Sequence, residues 1–438
     1  MKEKMNDAPV GQKLRILVVP SDRTGVGYFR STSPHINLQK LYPNDVHVDI
    51  DFEPDYKNES FLKRYDIIHY HRTLGPFEEM EETLERLDNL GIVSVMDLDD
   101  HWSPGPHHPA HKIIKENGLD KKIARNLKLA KNITTTTSLF AEEISKLNKN
   151  VFVLPNAIDT NEKQYTPNPE KSERIRIGWL GGSSHLKDLE LLKGVVSNLK
   201  SDGYLDKVQF VLCGYDLRGT VTMFNQKTGK QTQRPIKPHE SVWYKYEQIF
   251  TDNYSIVSED YKKYLLTFKQ EEYNDVANEP YRRVWTKPIS TYASNYNLFD
   301  VSLSPLVDHT FNKVKSQLKV IEAGFHKKAL IAQDFGPYQI DMINLFGKTE
   351  KGQHTPPINE GANGFLVPKN KNHKLWAKYI KYLVDNPDMI TELGNKLYDT
   401  VNGTYDMVSV CKNRLELYSN LVAEKKSDES IESLVVNA

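Results

Sequence analysis

The sequence predicts an α/β protein built from two doubly wound parallel-sheet domains. Short apolar runs alternate with helix-patterned segments, and several of the runs end in a polar or glycine-containing loop. Buried parallel strands and their crossover helices read this way. The pattern stops at a hydrophilic stretch, DTNEKQYTPNPEKSER (159–174), and restarts at 175, which marks a linker between two units. The length, 438 residues, suits two or three domains at ~100–200 residues each, enough to bury more than one core.

The first half opens with LRILVVP (14–20), a buried strand that ends at SDRTGVG. YDIIHYH (65–71) is a second strand, and EEMEETLERLDNL (78–90) has helical spacing and an acidic first turn. GIVSVMDLDD (91–100) is a third strand running into acids, followed by the Pro/His-rich loop SPGPHHPAH (103–111). A helix near 119–131, the strand-like ITTTTS (133–138), the helix LFAEEISKLN (139–148) and VFVLPN (151–156) complete the unit. In the second half IRIGWLGGSSH (175–185), a helix at 188–200, VQFVLCG (208–214), LFDVSLSPL (298–306), LKVIEAGFH (318–326) and ALIAQD (329–334) repeat the alternation. Residues 217–285 break it: a Thr-Gly hairpin and two Tyr-rich helices read as an insertion. The expected boundaries are 1–160, 161–400 with that insertion, and 401–438, a helix returning to the first domain and a tail. Ligands of such sheets bind at the carboxyl ends of the strands, so the cleft between the two Rossmann-like halves is the expected site.

Lys plus Arg and Asp plus Glu are both 58. Zero net charge argues against a broad nucleic-acid surface, though not against a local pocket for one phosphate. Two cysteines cannot build a disulfide framework, and a reducing, cytoplasmic compartment is expected. The start is polar, and no apolar run approaches the ~20 residues that span a bilayer. The 23 tyrosines with basic neighbours could support peripheral contact at the inner face of a membrane, although no single amphipathic stretch stands out.

Three strand-end segments are candidates for phosphate binding through backbone N–H groups and helix N-termini. The first is Gly25-Val26-Gly27 with Arg30, whose guanidinium could grip a phosphate or carboxylate of an acceptor or else pair with a nearby acid. The second is Gly181-Gly182-Ser183 with Lys187. The third is Asn312, Lys315 and Ser316, leading into a helix with Lys319 and Glu322. Lys315 and Lys319 are four apart and share a helix face, with Glu322 close to it. Two cations and a carboxylate suit a diphosphate with a ribose; an i,i+3 ion pair on a solvated face is the plainer reading. Asp97, Asp99 and Asp100 close a strand, where they could hold Mg²⁺, flank a donor sugar or cap the next element. His69 with His71, and the His107, His108 and His111 cluster, are weak metal patterns; no metal site and no cofactor are assigned.

These segments together resemble the retaining glycosyltransferases of the GT-B fold, two Rossmann-like domains facing across a cleft, and within them the glycosyltransferase family 4 type. VFVLPNAID is similar to that family's junction segment, with Ala157 at a glycine position. In IGWLGGSSHLKDL, Gly181 and Lys187 match the glycine and the diphosphate lysine, and Gly182 stands at the usual arginine. Gly214, ending VQFVLCG, matches the turn that borders the base. Glu322 matches the ribose-holding second carboxylate of a Glu-x7-Glu pair; Val314 replaces the first, and Asn312 or Lys315 could substitute for it. NGFLVP (363–368) resembles another family turn. GIVSVMDLDDHW is similar to the strand that carries a histidine near the donor sugar; Asp99 falls at that place and His101 is two further on.

The resemblance implies a retaining, metal-independent hexosyltransferase with a UDP- or GDP-sugar as co-substrate. It implies catalytic roles for Asp99, His101 and Lys315, donor contacts from Gly181 to Glu322, and acceptor contacts from Gly25, Gly27 and Arg30. The acceptor would be a glycan, a lipid-linked sugar or a protein. The pattern around Asp97–Trp102 and Phe311–Glu322 is similar to transferases of bacterial surface-polysaccharide gene clusters. A nucleotide-sugar epimerase, a non-catalytic nucleotide-sugar-binding protein and a DNA-modifying glycosyltransferase are the rival readings.

Overall fold

The computed structural model describes residues 13–106, 108–224, 231–348, 356–369 and 373–436. His107 of the histidine cluster and the tip of the predicted hairpin, 225–230, lie outside the described residues.

Six parallel strands form the first sheet: β1 (Leu14–Val19), β2 (Val46–Ile50), β3 (Ile67–His71), β4 (Val93–Leu98), β5 (Asn132–Thr135) and β6 (Val151–Val153), in the order β2-β1-β3-β4-β5-β6. Strands β3 and β4 are buried along their whole length, as an apolar run covered on both faces must be. Helices Met80–Asn89 and Leu119–Leu129 cover one face through Leu84, Leu87, Ile123 and Leu127. The other face holds Ser33–Leu41 and the long helix Met407–Val436, whose Met407, Val410, Cys411 and Tyr418 pack on Ile16, Val18 and Val95. The Tyr418 hydroxyl lies 2.9 Å from both His35 Nε2 and His69 Nδ1. His69 and His71, two apart on β3, are therefore held by different partners, because His71 bonds Asp99 instead.

The second sheet begins with β7 (Ile175–Leu180) and β8 (Val208–Tyr215). An antiparallel hairpin, β9 (Thr220–Phe224) and β10 (Gln231–Pro235), and the helices Val242–Phe250 and Glu259–Leu265 intervene. The sheet resumes with β11 (Tyr281–Trp285), β12 (Val301–Ser304), β13 (Ala329–Asp334) and β14 (Phe365–Pro368), all parallel, in the order β11-β8-β7-β12-β13-β14. The inserted helices are amphipathic, and Trp243, Tyr246, Phe250 and Tyr261 join the core against β7 and β8. No helix among the described residues is long and apolar enough to cross a membrane.

Strand order reverses between β1 and β3 in the first sheet and between β7 and β12 in the second. Each reversal splays adjacent loops apart and opens a crevice beyond the strand ends. The two sets of strand-end loops meet. Asn156, after β6, donates to Ser316 Oγ at 3.1 Å. Val314 packs into the core of the first domain, and His108 lies against Phe311 with ring centroids 4.8 Å apart.

Candidate active site

The crevice between β7 and β12 is built from short polar connections. Gly181 follows β7 and its carbonyl sits over Gly214, whose φ is +102° and whose Cβ, if it had one, would lie 2.6 Å from that oxygen. Glycine at 214 is therefore a spacing requirement of the second sheet; the residue is buried beneath the loop. A Cβ on Gly181 would strike the Trp179 ring at 2.4 Å, whereas Gly182 has open space.

Asp188 ties the two sides of this crevice together. Its Oδ1 accepts from Val307 N at 2.8 Å and Asn312 Nδ2 at 2.9 Å, and its Oδ2 lies 2.8 Å from His185 Nδ1. A carboxylate only accepts, so Nδ1 carries the proton and Nε2 keeps its lone pair. Burial, then the nearby Lys315 charge, push the His185 pKa down to about 4, so the ring is neutral at pH 7. Asn312 is buried and spends its amide on Asp188 and the Val307 carbonyl.

Both charges on the following helix, Leu318–Phe325, are already engaged. Lys319 donates to the Leu180 carbonyl at the end of β7; burial lowers its pKa while Glu322 opposes the shift. Glu322 is 1% exposed and accepts from the hydroxyls of Tyr292 and Tyr296. Burial raises its pKa, against the pull of Lys319 and both hydroxyls. Lys315 is different. Among the described residues it forms no ion pair, and its ammonium stands 5.2 Å from the centre of the Phe311 ring. Its charge acts on Asp100, His108 and His185, from both domains.

Lys187 lies on the outer side of the loop. Its side chain is 50% exposed and pairs with Glu190 at 2.9 Å. With Ser183, Ser184, Trp243 and Pro109 of the first domain it lines a 440 Å³ pocket.

The first domain contributes the end of β4. Asp99 accepts from His71 Nε2 at 3.0 Å and lies 3.7 Å from Arg72. Burial works to raise its pKa, but the His71 bond and the charges of His71 and Arg72 hold it below the usual carboxylate range. Asp100 is the acid of the first domain that the Lys315 charge reaches. Burial and the charge of Asp99 raise its pKa, while Lys315 and Arg72 pull it down. His101 turns elsewhere: it stacks on Trp102 with centroids 4.3 Å apart, accepts from Ser103 N at 3.0 Å, and lies 3.8 Å from Glu143.

Arg30 takes the second of its two expected readings, a pairing with a nearby acid. It is 1% exposed and forms a fork with both oxygens of Asp97, at 3.0 and 2.8 Å. Its Nη1 donates to the Leu154 carbonyl and to Asn156 Oδ1. Its donors are thus spent inside the protein. The chain Asp97–Arg30–Asn156–Ser316 runs from the first sheet to the loop after β12. The glycine pair ahead of it is also internally satisfied. Gly27 N and Thr24 N both donate to Asp22 Oδ1, and a Cβ on Gly27 would lie 1.8 Å from the Asp22 carbonyl oxygen. Gly25 has open space around it.

The geometry therefore brings together Gly181–Ser183, Lys315, Ser316, Lys319, Glu322 and the β4 acids. Sequence reasoning missed Asp100 as the first-domain acid that the Lys315 charge reaches, His185 with Asp188, and the two tyrosines on Glu322. A His-x-x-Asp spacing at a helix start was the available signal for the second pair; the tyrosines lie 26 and 30 residues before Glu322 and gave none. Among the described residues no group of three or more His, Cys, Asp or Glu could hold a metal ion.

No family model matches the chain, and no curated protein matches it significantly in sequence. Solved structures do match. The Anabaena protein HepE, determined in complex with UDP-glucose, is 12% identical over 93% of this chain and 99% of that one, with a TM-score of 0.54. The same protein with UDP and glucose gives the same score. Sucrose-phosphate synthase from Thermosynechococcus elongatus is 12% identical over 94% of this chain and 100% of that one, with a TM-score of 0.53. The shared architecture is the GT-B fold, two Rossmann-like domains with parallel sheets facing across a cleft.

Proposed function

We propose that the chain is a glycosyltransferase of the GT-B fold that moves a sugar from a nucleotide diphosphate sugar to an acceptor hydroxyl. The observation that carries this reading is Lys315. It is a cation without an ion pair among the described residues, held between two strand-end crevices and felt by acids and histidines of both domains. HepE, which shares the architecture, is determined with UDP-glucose and with UDP and glucose.

In this reading the nucleotide sits over β7 and β12, with the diphosphate on the Gly181–Ser183 amides and Lys315. Lys187 joins when it leaves Glu190. The bond between the sugar's anomeric carbon and the β-phosphate oxygen breaks, and its electron pair leaves on that oxygen. Lys315 stabilises the new charge more in the transition state than in the ground state. The acceptor oxygen forms the new bond from the same face and passes its proton to the departing phosphate, which retains configuration. Asp100, in its carboxylate form, which the Lys315 charge favours, would balance the positive charge developing on the sugar ring. Fixed cations make a metal unnecessary. The UDP or GDP base, a role in bacterial polysaccharide or glycoconjugate synthesis, and a hexose as the group transferred follow from the family 4 resemblance.

A thermal-shift panel of UDP, GDP, ADP and their sugars tests the donor site, because a ligand that binds only the folded state raises its melting temperature. Mass spectrometry of products from labelled nucleotide sugars and candidate acceptors tests transfer. Conversion of a nucleotide sugar to its epimer without acceptor, or no stabilisation by any nucleotide, overturns the reading.

A further inference from the structure

A second crevice lies at the β1/β3 reversal of the first sheet, where a 540 Å³ pocket opens. That size is within the ~300–1,000 Å³ of small-molecule sites. Its walls are largely apolar and aromatic: Phe52, Tyr56 and Phe77 line it together with Ile123 from the helix behind. Aromatic faces beside a polar rim suit the C–H faces of a sugar ring, and the exposed Glu53 at the rim can accept from ring hydroxyls.

The guanidinium of the pocket belongs to Arg72. Its φ is +65°, a left-handed conformation that a residue with a long side chain seldom adopts. The strain is held in place: Arg72 N donates to the Asp97 carbonyl at 3.3 Å, and the buried Asn126 donates to the Arg72 carbonyl at 3.0 Å. Strain that its surroundings impose is characteristic of ligand sites. The side chain is 38% exposed and, among the described residues, makes no hydrogen bond; its nearest charge is Asp99 at 3.7 Å, already shared with His71. Three residues lining the pocket also hold buried polar atoms that no protein group satisfies: Arg72 Nε, Tyr56 Oη and His71 Nδ1. Buried polar atoms are rarely left without partners.

We propose that this pocket binds the acceptor, and that the acceptor is a sugar carrying a phosphate monoester, its phosphate on the Arg72 guanidinium and its ring against the aromatic wall. An arginine fork with unused donors matches phosphate oxygens in pairs. The Asp99–His71 pair lies beside Arg72, and Asp100, next in the chain, feels the Lys315 charge, so the pocket opens at the same strand ends that carry the proposed transfer site. The proposal rests on the transferase reading.

The test is isothermal titration of the full chain with glucose 6-phosphate, glucose, inorganic phosphate, and dodecyl phosphate micelles, with UDP or GDP titrated separately. The variant is Arg72→Gly, which removes the cation while glycine accepts the +65° backbone, so its melting temperature should not fall. The expected result is that glucose 6-phosphate binds at least tenfold tighter than glucose or phosphate alone, that Arg72→Gly abolishes the difference, and that nucleotide affinity is unchanged. Equal binding of glucose and glucose 6-phosphate, no binding of the sugar phosphate, tighter binding of the micelles, or an Arg72→Gly protein that holds the sugar phosphate normally each overturns the proposal. Loss of the nucleotide titration in the wild-type chain would instead overturn the transferase reading.

Discussion

Replacing Lys315 with methionine keeps the length of the side chain and removes its charge. Lys315 forms no ion pair among the described residues, and its surroundings include another lysine, Lys319, and the histidines His108 and His185. Removing the charge relieves the repulsion with Lys319 but also takes a cation from Asp100 and Asp188, whose pKa values it holds down, so Lys315→Met should change the melting temperature little. Catalysis should fall instead. A charge-assisted hydrogen bond to a leaving phosphate contributes about 1.5–3 kcal/mol, and a unit charge at ~4 Å in a partly desolvated site interacts by up to about 4 kcal/mol. At about 1.4 kcal/mol per factor of ten, kcat should fall roughly a hundredfold. The assay is initial-rate kinetics with the nucleotide sugar that stabilises the protein best, alongside thermal unfolding. Two titrations should move as well. Lys315 holds the pKa of Asp100 and of His185 down, so both should rise in the variant, His185 being measurable by NMR. A kcat within threefold of wild type, with the fold intact, refutes the placement of Lys315 at the reaction centre.

Asp100 is destabilising when ionised, because its folded-state pKa is raised by burial and by Asp99. The sign follows: its contribution to stability improves as pH falls through the raised pKa. Asp100→Asn should raise the melting temperature at pH 8, shrink that gain toward pH 4, and lower kcat. Glu322→Gln removes the carboxylate that accepts from Tyr292 and Tyr296; titration calorimetry should show nucleotide diphosphate affinity down by about 1.5–3 kcal/mol, with Tyr292→Phe as the control that weakens the carboxylate's support alone. Lys187→Ala breaks only an exposed pair with Glu190, so stability should change by under ~1 kcal/mol while nucleotide affinity drops. Transfer should survive excess EDTA, and a loss that Mg²⁺ restores would contradict the fixed-cation mechanism.

The strands were legible where apolar runs were dense. The reading of 14–20, 65–71, 91–100, 208–214 and 329–334 falls on β1, β3, β4, β8 and β13, whose side chains are almost wholly buried. It passed over β2, VHVDI, because an edge strand with exposed His47 and half-buried Asp49 alternates too weakly to register. It also passed over β11, YRRVW, since two arginines do not announce a strand. Arg283 is nevertheless buried, forking onto Glu247 from an inserted helix at 2.8 and 2.6 Å, and that pairing is a long-range fact that no local pattern encodes.

The same distinction explains the site. Glycines at 181 and 214 suit ligand contacts by position, but the missing Cβ of Gly214 first lets the β7 loop touch the end of β8, and that of Gly181 makes room for the Trp179 ring. Arg30 after a glycine loop fits either a ligand-gripping cation or an ion pair, and a strand 67 residues away decides it by placing Asp97 under the guanidinium; its link to the second domain runs only through Asn156 to Ser316. Spacing along the chain reports which residues share an element; it does not report which charge is already paired. Lys315, which forms no ion pair among the described residues, and Arg72, which shares Asp99 with His71, are told apart from the other cations only by contacts across the fold. Charge left without a partner is costly unless something outside the chain completes it. In the proposed reading the two cations mark the ends of one path, from a nucleotide crevice in the second sheet to an acceptor pocket in the first, with Asp99 and Asp100 between them.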